Sequence, residues 1–483
     1  MPHLHQLTAI ELLAAYAAKT LSPVEVARDV LAHIAATEPQ LHATYALDPE
    51  AAMAQAVASE ARWLKGQPCG PLDGVTVTIK ENIATQGVPM PVGTAASVLT
   101  PSLVDAPPAA RLREAGAVIL GKTTMPDYGM LSSSLSSFHP LTRNPWDLRK
   151  TTGGSSAGAA AAAAAGYGAL HIGTDIGGSV RLPAGWCGIF ALKPSLGRIP
   201  IDPPYAGRVA GPMTRTVQDS ALMMATVSLA DARDTMSLPY QALAWNAPEK
   251  SVRGLKIGLL MDAGWGSAVE PEVRAAVEAA ARLFEAAGAV VEPMAPFMTR
   301  TMADGMDDFW RTRSWLDISA LSEQRRSKVL PYIVAWARGG AGLSGERVFR
   351  GYSQMAVMRD AAVRACSRFD FVLSPTAPMP AFAAELPSPN NDPTQPFEHI
   401  AFTLPYNMSE QPAASINCGY TSEGLPIGLQ IIGQRFDDVG VLQMARTWEL
   451  MRPAQRAWPV LGKAVPQASS NDLAETDAES EAS

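Results

Sequence analysis

The sequence predicts an α/β protein in which one large β-sheet is covered by helices on both faces. Two observations carry this reading: strands alternate with helices along much of the chain, and a helix–glycine–strand unit occurs twice. Residues 109–116 read as a helix closed by Gly116, leading into the apolar run 117–120. Residues 273–287 with Gly288 lead in the same way into 289–291. Each glycine stands where a left-handed helix C-cap is expected, since glycine has no Cβ to clash there.

The other elements follow in order. Two capped helices open the chain: Thr8 with Glu11 and Ser22 with Glu25 fit capping boxes, and Pro23 takes the first helical position of the second. Leu12, Leu13 and Tyr16, then Val26, Val30, Leu31 and Ile34, supply apolar stripes at helical spacing. Turn residues at 70–74 precede a short strand, 75–80, that ends on Lys80. Later strands are predicted at 255–260, 371–373 and 427–432. No short period recurs, which excludes a solenoid. Residues 466–483 are rich in Ser, Ala, Asp and Glu and poor in bulky apolar side chains, so they read as a disordered acidic tail.

Bulk properties narrow the function classes. The 483 residues are 47% hydrophobic and 18% charged, as in ordinary globular proteins. A net charge of −7 without a basic stripe argues against a nucleic-acid partner. No basic segment followed by an apolar one marks a secretory signal, and no run approaches the ~18 apolar residues of a membrane span. A cytoplasmic protein with no membrane association is expected. Cys69, Cys187, Cys366 and Cys418 are widely spaced and read as small hydrophobes rather than a disulfide frame or zinc site. No His/Asp/Glu cluster has ligand spacing, so no metal or cofactor is expected.

The most unusual region runs from 151 to 181. Glycine pairs precede Ser155 and Ser179, and a helix starting near Ala157 would add the positive end of its dipole. Three readings compete for the first pair. A phosphate-cradling loop needs a lysine after its last glycine, where Ala159 stands. A nucleophile elbow centred on Ser156 fits 154–158 formally, but it must follow a buried strand, and 143–150 is polar and broken by proline. It also needs a later histidine, and only His171 and His399 follow. The third reading is a plain glycine/serine loop, and the loop alone does not choose among them.

Taken with Lys80, the region resembles the amidase signature family. Lys80 in Thr-Ile-Lys-Glu-Asn, Ser155 in Gly-Gly-Ser-Ser, and Ser179 in Gly-Thr-Asp-Ile-Gly-Gly-Ser-Val-Arg match that family's Ser–Ser–Lys triad, with 179 − 155 = 24 positions between the serines. Segments 113–125, 211–217 and 424–430 are similar to the family too. The resemblance covers most of 1–465 and is weakest over about 235–365. It implies a single large catalytic domain with a central mixed β-sheet, and acyl transfer from a small-molecule amide. Ser179 would be the nucleophile, Ser155 a proton relay and Lys80 an uncharged base. A lysine can take that part where burial disfavours its ammonium form. The resemblance further implies a cis peptide at Gly154–Ser155 and an oxyanion hole from the N–H groups of Ile176, Gly177, Gly178 and Ser179. Asp175 and Arg181 would brace the loop as an ion pair, and Ser156 would support the network. Ala157 and Glu81 depart from the family's frequent glycine and aspartate without removing a reacting group. A homodimer is compatible with the resemblance.

Three alternatives stay open. The same triad could attack a carbamate or ester. The chain could be a glutamine-hydrolysing amidotransferase subunit, but those subunits place a carboxylate just before a segment like 402–407, where this chain has His399, Ile400 and Ala401. A catalytically dead binding protein would have no need of Lys80, Ser155 and Ser179 together. The stretch 302–336, with Met306, Phe309, Trp310, Trp315, Tyr332 and Trp336, is either core or the lining of a bulky apolar pocket.

Overall fold

The computed structural model describes residues 3–246 and 249–461, so the acidic tail expected at 466–483 lies outside the described residues. The strands are β1 (Thr44–Tyr45), β2 (Thr76–Lys80), β3 (Val118–Thr123), β4 (Arg143–Asn144), β5 (Asp147–Thr151), β6 (Leu170–Asp175), β7 (Phe190–Lys193), β8 (Val209–Thr214), β9 (Lys256–Leu259), β10 (Val290–Pro293), β11 (Phe371–Pro375), β12 (Ala413–Tyr420) and β13 (Pro426–Ile432). Among the described residues, eleven of them form one sheet in the order β1-β3-β2-β6-β8-β7-β12-β13-β11-β9-β10. The sheet is mixed. β3, β2 and β6 run parallel, as do β11, β9 and β10, while β8, β7, β12 and β13 join the two groups by antiparallel pairings. The two helix–glycine–strand units feed β3 and β10, and Gly116 and Gly288 both take positive φ.

Alternation along the strands separates two layers. Val77, Ile79, Leu170, Ile172, Leu373, Leu429 and Ile431 face helices Pro107–Glu114, Val217–Val227, Pro271–Ala286 and Asp438–Met451, where they meet Leu112, Val217, Val277, Phe284 and Trp448. Fully burying each such aliphatic side chain contributes about 1.5–3 kcal/mol. The intervening residues Thr76, Thr78 and Lys80 therefore point to the other face. Thr78 Oγ1 lies 2.7 Å from Nδ1 of His171, its neighbour on β6. That face is covered by helices Ala157–Ala165 and Arg181–Cys187.

Helix Ala157–Ala165 is alanine and glycine throughout and wholly buried. Its narrow body lets it lie close to the face of the sheet, over β3, β2, β6 and β8. At Gly158 a Cβ would sit 2.5 Å from the backbone nitrogen of Thr124, so only glycine fits. Both N-terminal capping boxes are formed, and Pro23 opens its helix as expected. One expectation needs correction: a strand, β5, does precede Ser156. It belongs to a two-stranded ribbon with β4 and is partly exposed, so it is not the buried central strand that an elbow requires. Among the described residues, no helix is long and apolar enough to cross a membrane.

Candidate active site

Lys80 ends β2 and enters the space beneath the start of helix Ala157–Ala165, where its side chain is completely buried. Its Nζ lies 2.8 Å from Ser155 Oγ, 3.0 Å from Ser156 Oγ and 3.0 Å from Thr174 Oγ1. Burial drives the Lys80 pKa well below the usual lysine range, and the nearby Arg208 charge pushes the same way against Asp175 and Glu81. Ser156 donates its hydroxyl hydrogen to the Thr174 carbonyl at 3.1 Å, which leaves its oxygen free to accept from Nζ. Thr174 Oγ1 is itself hydrogen-bonded to the Asn82 side chain. A neutral amine carries two N–H bonds and one lone pair. If those N–H bonds are aimed at Ser156 and Thr174, the lone pair is turned to Ser155 Oγ.

The Gly154–Ser155 peptide is cis. Ser155 is nearly buried, at 4% exposure, and the Ser156 N–H donates to the Ser179 carbonyl at 3.1 Å, tying the two serine loops together. Among the described residues, no hydrogen bond joins the Ser155 and Ser179 hydroxyls directly. Ser179 is half-buried and opens into a cleft lined by Met130, Leu131, Ile176, Trp310, Phe397 and Ile400.

The loop between β6 and helix Arg181–Cys187 is held from behind. Arg181 and Asp175 form a fully buried two-point ion pair, with both contacts at 3.0 Å. Arg181 also donates to the Thr403 carbonyl, Gln430 Oε1 and Asn407 Oδ1. Burial pushes the Asp175 carboxyl up, but the Arg181 charge and hydrogen bonds outweigh it and hold the group well below the usual carboxylate range. Asp175 accepts the N–H groups of Gly178 at 2.8 Å and Val180 at 3.1 Å. This corrects one expectation: the Gly178 N–H is committed to Asp175 and is not free for an oxyanion. The N–H groups of Ile176, Gly177 and Ser179 have no acceptor among the described residues. Gly178 itself has φ 128°, and a Cβ there would meet Thr403 Oγ1 at 2.5 Å.

Of the sequence-predicted residues, Lys80, Ser155 and Ser156 are in direct contact, while Ser179, Ile176 and Gly177 line the adjoining cleft. Thr174, Asn82, Asn407 and Gln430 were not anticipated. All four lie in segments quoted for the sequence reading, Thr174 and Asn82 in the motifs around Ser179 and Lys80, but nothing local assigned them a role. The aromatic stretch divides: Trp310 lines the cleft, whereas Met306 and Trp336 are core, with Trp336 Nε1 donating to Asp307. Glu81 is a structural anchor, holding the Gly93 N–H at 2.7 Å and pairing with His139.

A mixed eleven-stranded sheet carrying a buried lysine–serine pair under a glycine-rich serine loop defines a class, and comparison with known proteins agrees. The Amidase family matches residues 25–442, and the chain belongs to that family. It is 35% identical to a glutamyl-tRNA(Gln) amidotransferase component of Myxococcus xanthus (strain DK1622), over 92% of this chain and 97% of that one. It is 33% identical to an acylamidase of Rhodococcus erythropolis, over 93% and 96%. Among solved structures it is similar to a bacterial aryl acylamidase of the amidase signature family, with a TM-score of 0.86, 29% identity, and 93% and 96% coverage.

Proposed function

We propose that this protein is a cytoplasmic amidase that hydrolyses small amides with a bulky apolar group, through an acyl-enzyme on Ser179. The observation that carries the reading is the completely buried Lys80, its Nζ 2.8 Å from Ser155 Oγ and its pKa driven down by burial, beside a cleft that Ser179 lines. In the acylation step Ser179 Oγ attacks the amide carbonyl carbon. Its proton passes to Ser155 Oγ as the Ser155 proton passes to Lys80 Nζ, so the base gains one proton and the substrate gains one C–O bond. The N–H groups of Ile176, Gly177 and Ser179 face the negative oxygen, and such donors are often worth about 3 kcal/mol each in the transition state. The proton returns along the same path to the leaving nitrogen as the C–N bond breaks. Water then repeats the sequence on the ester and releases the acid.

The cleft lining supports an apolar substrate group over glutamine. Ile400 occupies the wall before segment 402–407, and no carboxylate is among the residues that line the cleft. The neighbouring Glu398 is held in an ion pair with Arg300. The free cysteines fit a reducing compartment. Replacing Ser179 with alanine should lower amide hydrolysis by about four orders of magnitude or more, as for other serine nucleophiles. A fluorophosphonate probe should label the parent at Ser179 and spare the variant. Parent-like hydrolysis by the variant would reject the reading, and glutaminase activity exceeding arylamide hydrolysis would favour the amidotransferase role instead.

A further inference from the structure

Several arginines in this protein are held by carboxylates, and others, such as Arg215 and Arg325, by backbone carbonyls. Arg62 pairs with Asp73, Arg198 with Asp438 and Arg311 with Asp307. Two half-buried arginines beside the catalytic cleft do not pair in this way. Among the described residues, the only hydrogen bond of the Arg208 side chain is a 3.5 Å donation to the Asn82 carbonyl. Arg313 has a 3.6 Å contact to Met130 Sδ and stacks over the Tyr205 ring at 5.1 Å. The Tyr205 hydroxyl is buried and has no hydrogen-bond partner among the described residues. Arg313 thus lies on the Tyr205 ring and within electrostatic reach of Arg208, and neither arginine meets a carboxylate among the described residues. An unpaired buried donor such as the Tyr205 hydroxyl is unfavourable unless something completes it. The Arg313 charge also lowers the Arg208 pKa, after burial.

Their place is next to the reaction. Asn82, which accepts from Arg208, contacts Thr174, which contacts Lys80. Met130, which touches Arg313, lines the Ser179 cleft. The loop bearing Tyr205 and Arg208 is pinned by Asn407 Nδ2 donating to the Gly207 carbonyl at 3.0 Å, and the same Asn407 braces Asp175 and Arg181. The geometry points to a carboxylate subsite, formed by Arg313, Arg208 and the Tyr205 hydroxyl, that binds an anionic group carried by the amide substrate. Arginine's planar fork matches a carboxylate with two parallel N–H bonds, and Tyr205 supplies a third donor. The substrate class is then an amide with one apolar end, against Trp310 and Ile400, and one carboxylate-bearing end. The inference rests on the proposed amidase activity, because it identifies what that activity acts on.

The test uses the full chain and matched pairs of anilides. One pair, pentanoyl and glutaryl para-nitroanilide, differs by a carboxylate on the acyl end. A second, pentanoyl anilide and the pentanoyl amide of meta-aminobenzoate, differs by one on the amine end. At least one charged member should exceed its neutral twin in kcat/KM by about tenfold or more, the effect of a charge-assisted hydrogen bond. Arg313→Gln should lower that ratio about tenfold to hundredfold, mainly through KM, with Arg313→Lys retaining part of it. Tyr205→Phe should lower it less, and melting curves would identify any variant that fails to fold. Absence of preference in both pairs, or a preference that survives Arg313→Gln and Tyr205→Phe, overturns the subsite. If no anilide is cleaved, the amidase reading is what fails. Tryptophan fluorescence of the Ser179→Ala protein then decides the subsite by itself. Saturable quenching by the charged members, weakened by Arg313→Gln, supports it, and equal response to both twins overturns it.

Discussion

A lysine can serve as a base near neutral pH only where its ammonium form is disfavoured, and the charges around Lys80 set how far. Burial is the largest influence, followed by Arg208 in the same direction, with Asp175 and Glu81 opposing. Arg208→Gln removes a positive charge, so Lys80 should hold its proton to higher pH. Since the base must be uncharged to accept the Ser155 proton, the acidic limb of the kcat/KM profile should move to higher pH in this variant. Glu81→Gln would move it the other way, though it also disturbs the Gly93 and His139 contacts. A profile for Arg208→Gln that overlays the parent would show that its charge does not reach Lys80. Arg181, by contrast, cannot be discharged or removed cheaply. It fills a buried site whose partners come from three chain segments, and deleting Asp175 would leave a buried cation unpaired, a loss of about 3–5 kcal/mol.

At the level of elements, helix Ala157–Ala165 joins stability to catalysis. Its first turn carries Ser156 as N-cap, and its other end is closed by Gly166 in the left-handed conformation. Gly158→Ala should destabilise the protein by about 1–3 kcal/mol, since the new methyl collides with Thr124 and the Ala43 carbonyl rather than with a movable side chain. The helix start must then shift, taking Ser155 and Ser156 with it. A displacement approaching an ångström can lower the rate about a hundredfold. Thermal melting and kcat together check this, and unchanged values in both would mean the helix is free to slide. Such elements also show what the residues made legible. Capping boxes, glycine C-caps and uninterrupted apolar runs marked the N-terminal helices, β2, β3, β10, β11 and β13. The central strands were missed because their residues oppose strand propensity: β8 contains Gly211 and Pro212, and β12 contains Ser415, Asn417 and Gly419. They are strands because the sheet around them is complete on both sides. Lys80, Ser155 and Ser179 were legible as a set through the resemblance of their motifs to the amidase signature family, Trp310 only as one of several aromatic candidates, and folding alone brings Arg208 and Arg313 beside the cleft.

Across the whole molecule, the catalytic layer and the core layer share buried neutral histidines, and this gives the fold a characteristic response to acid. Burial pushes His171 and His399 down to about 3. His171 is bonded to Thr78 and the Gly168 carbonyl, while His399 Nε2 has no partner among the described residues and its ring stacks near Trp186. In the unfolded chain both titrate near 6.5, so between about 6.5 and 3 the unfolded state binds protons that the native state refuses. The stabilising contribution is complete above about 6.5 and is lost progressively as pH falls. At pH 5 the loss is about 2 kcal/mol for each histidine. Asp219 works in the opposite sense. Burial raises its carboxyl to about 6, so the native state takes up its proton first and recovers part of the loss between about 6 and 4. Asp175 contributes nothing to this window, because its depressed carboxyl stays ionised well below it. His399→Phe keeps an aromatic ring beside Trp186 and removes one titrating group. The decline in unfolding free energy from pH 7 to pH 5 should therefore be about 2 kcal/mol smaller in the variant, whatever its stability at pH 7. Denaturant unfolding at the two pH values measures this directly, and parallel declines would show that His399 is protonated in the folded protein or reached by solvent.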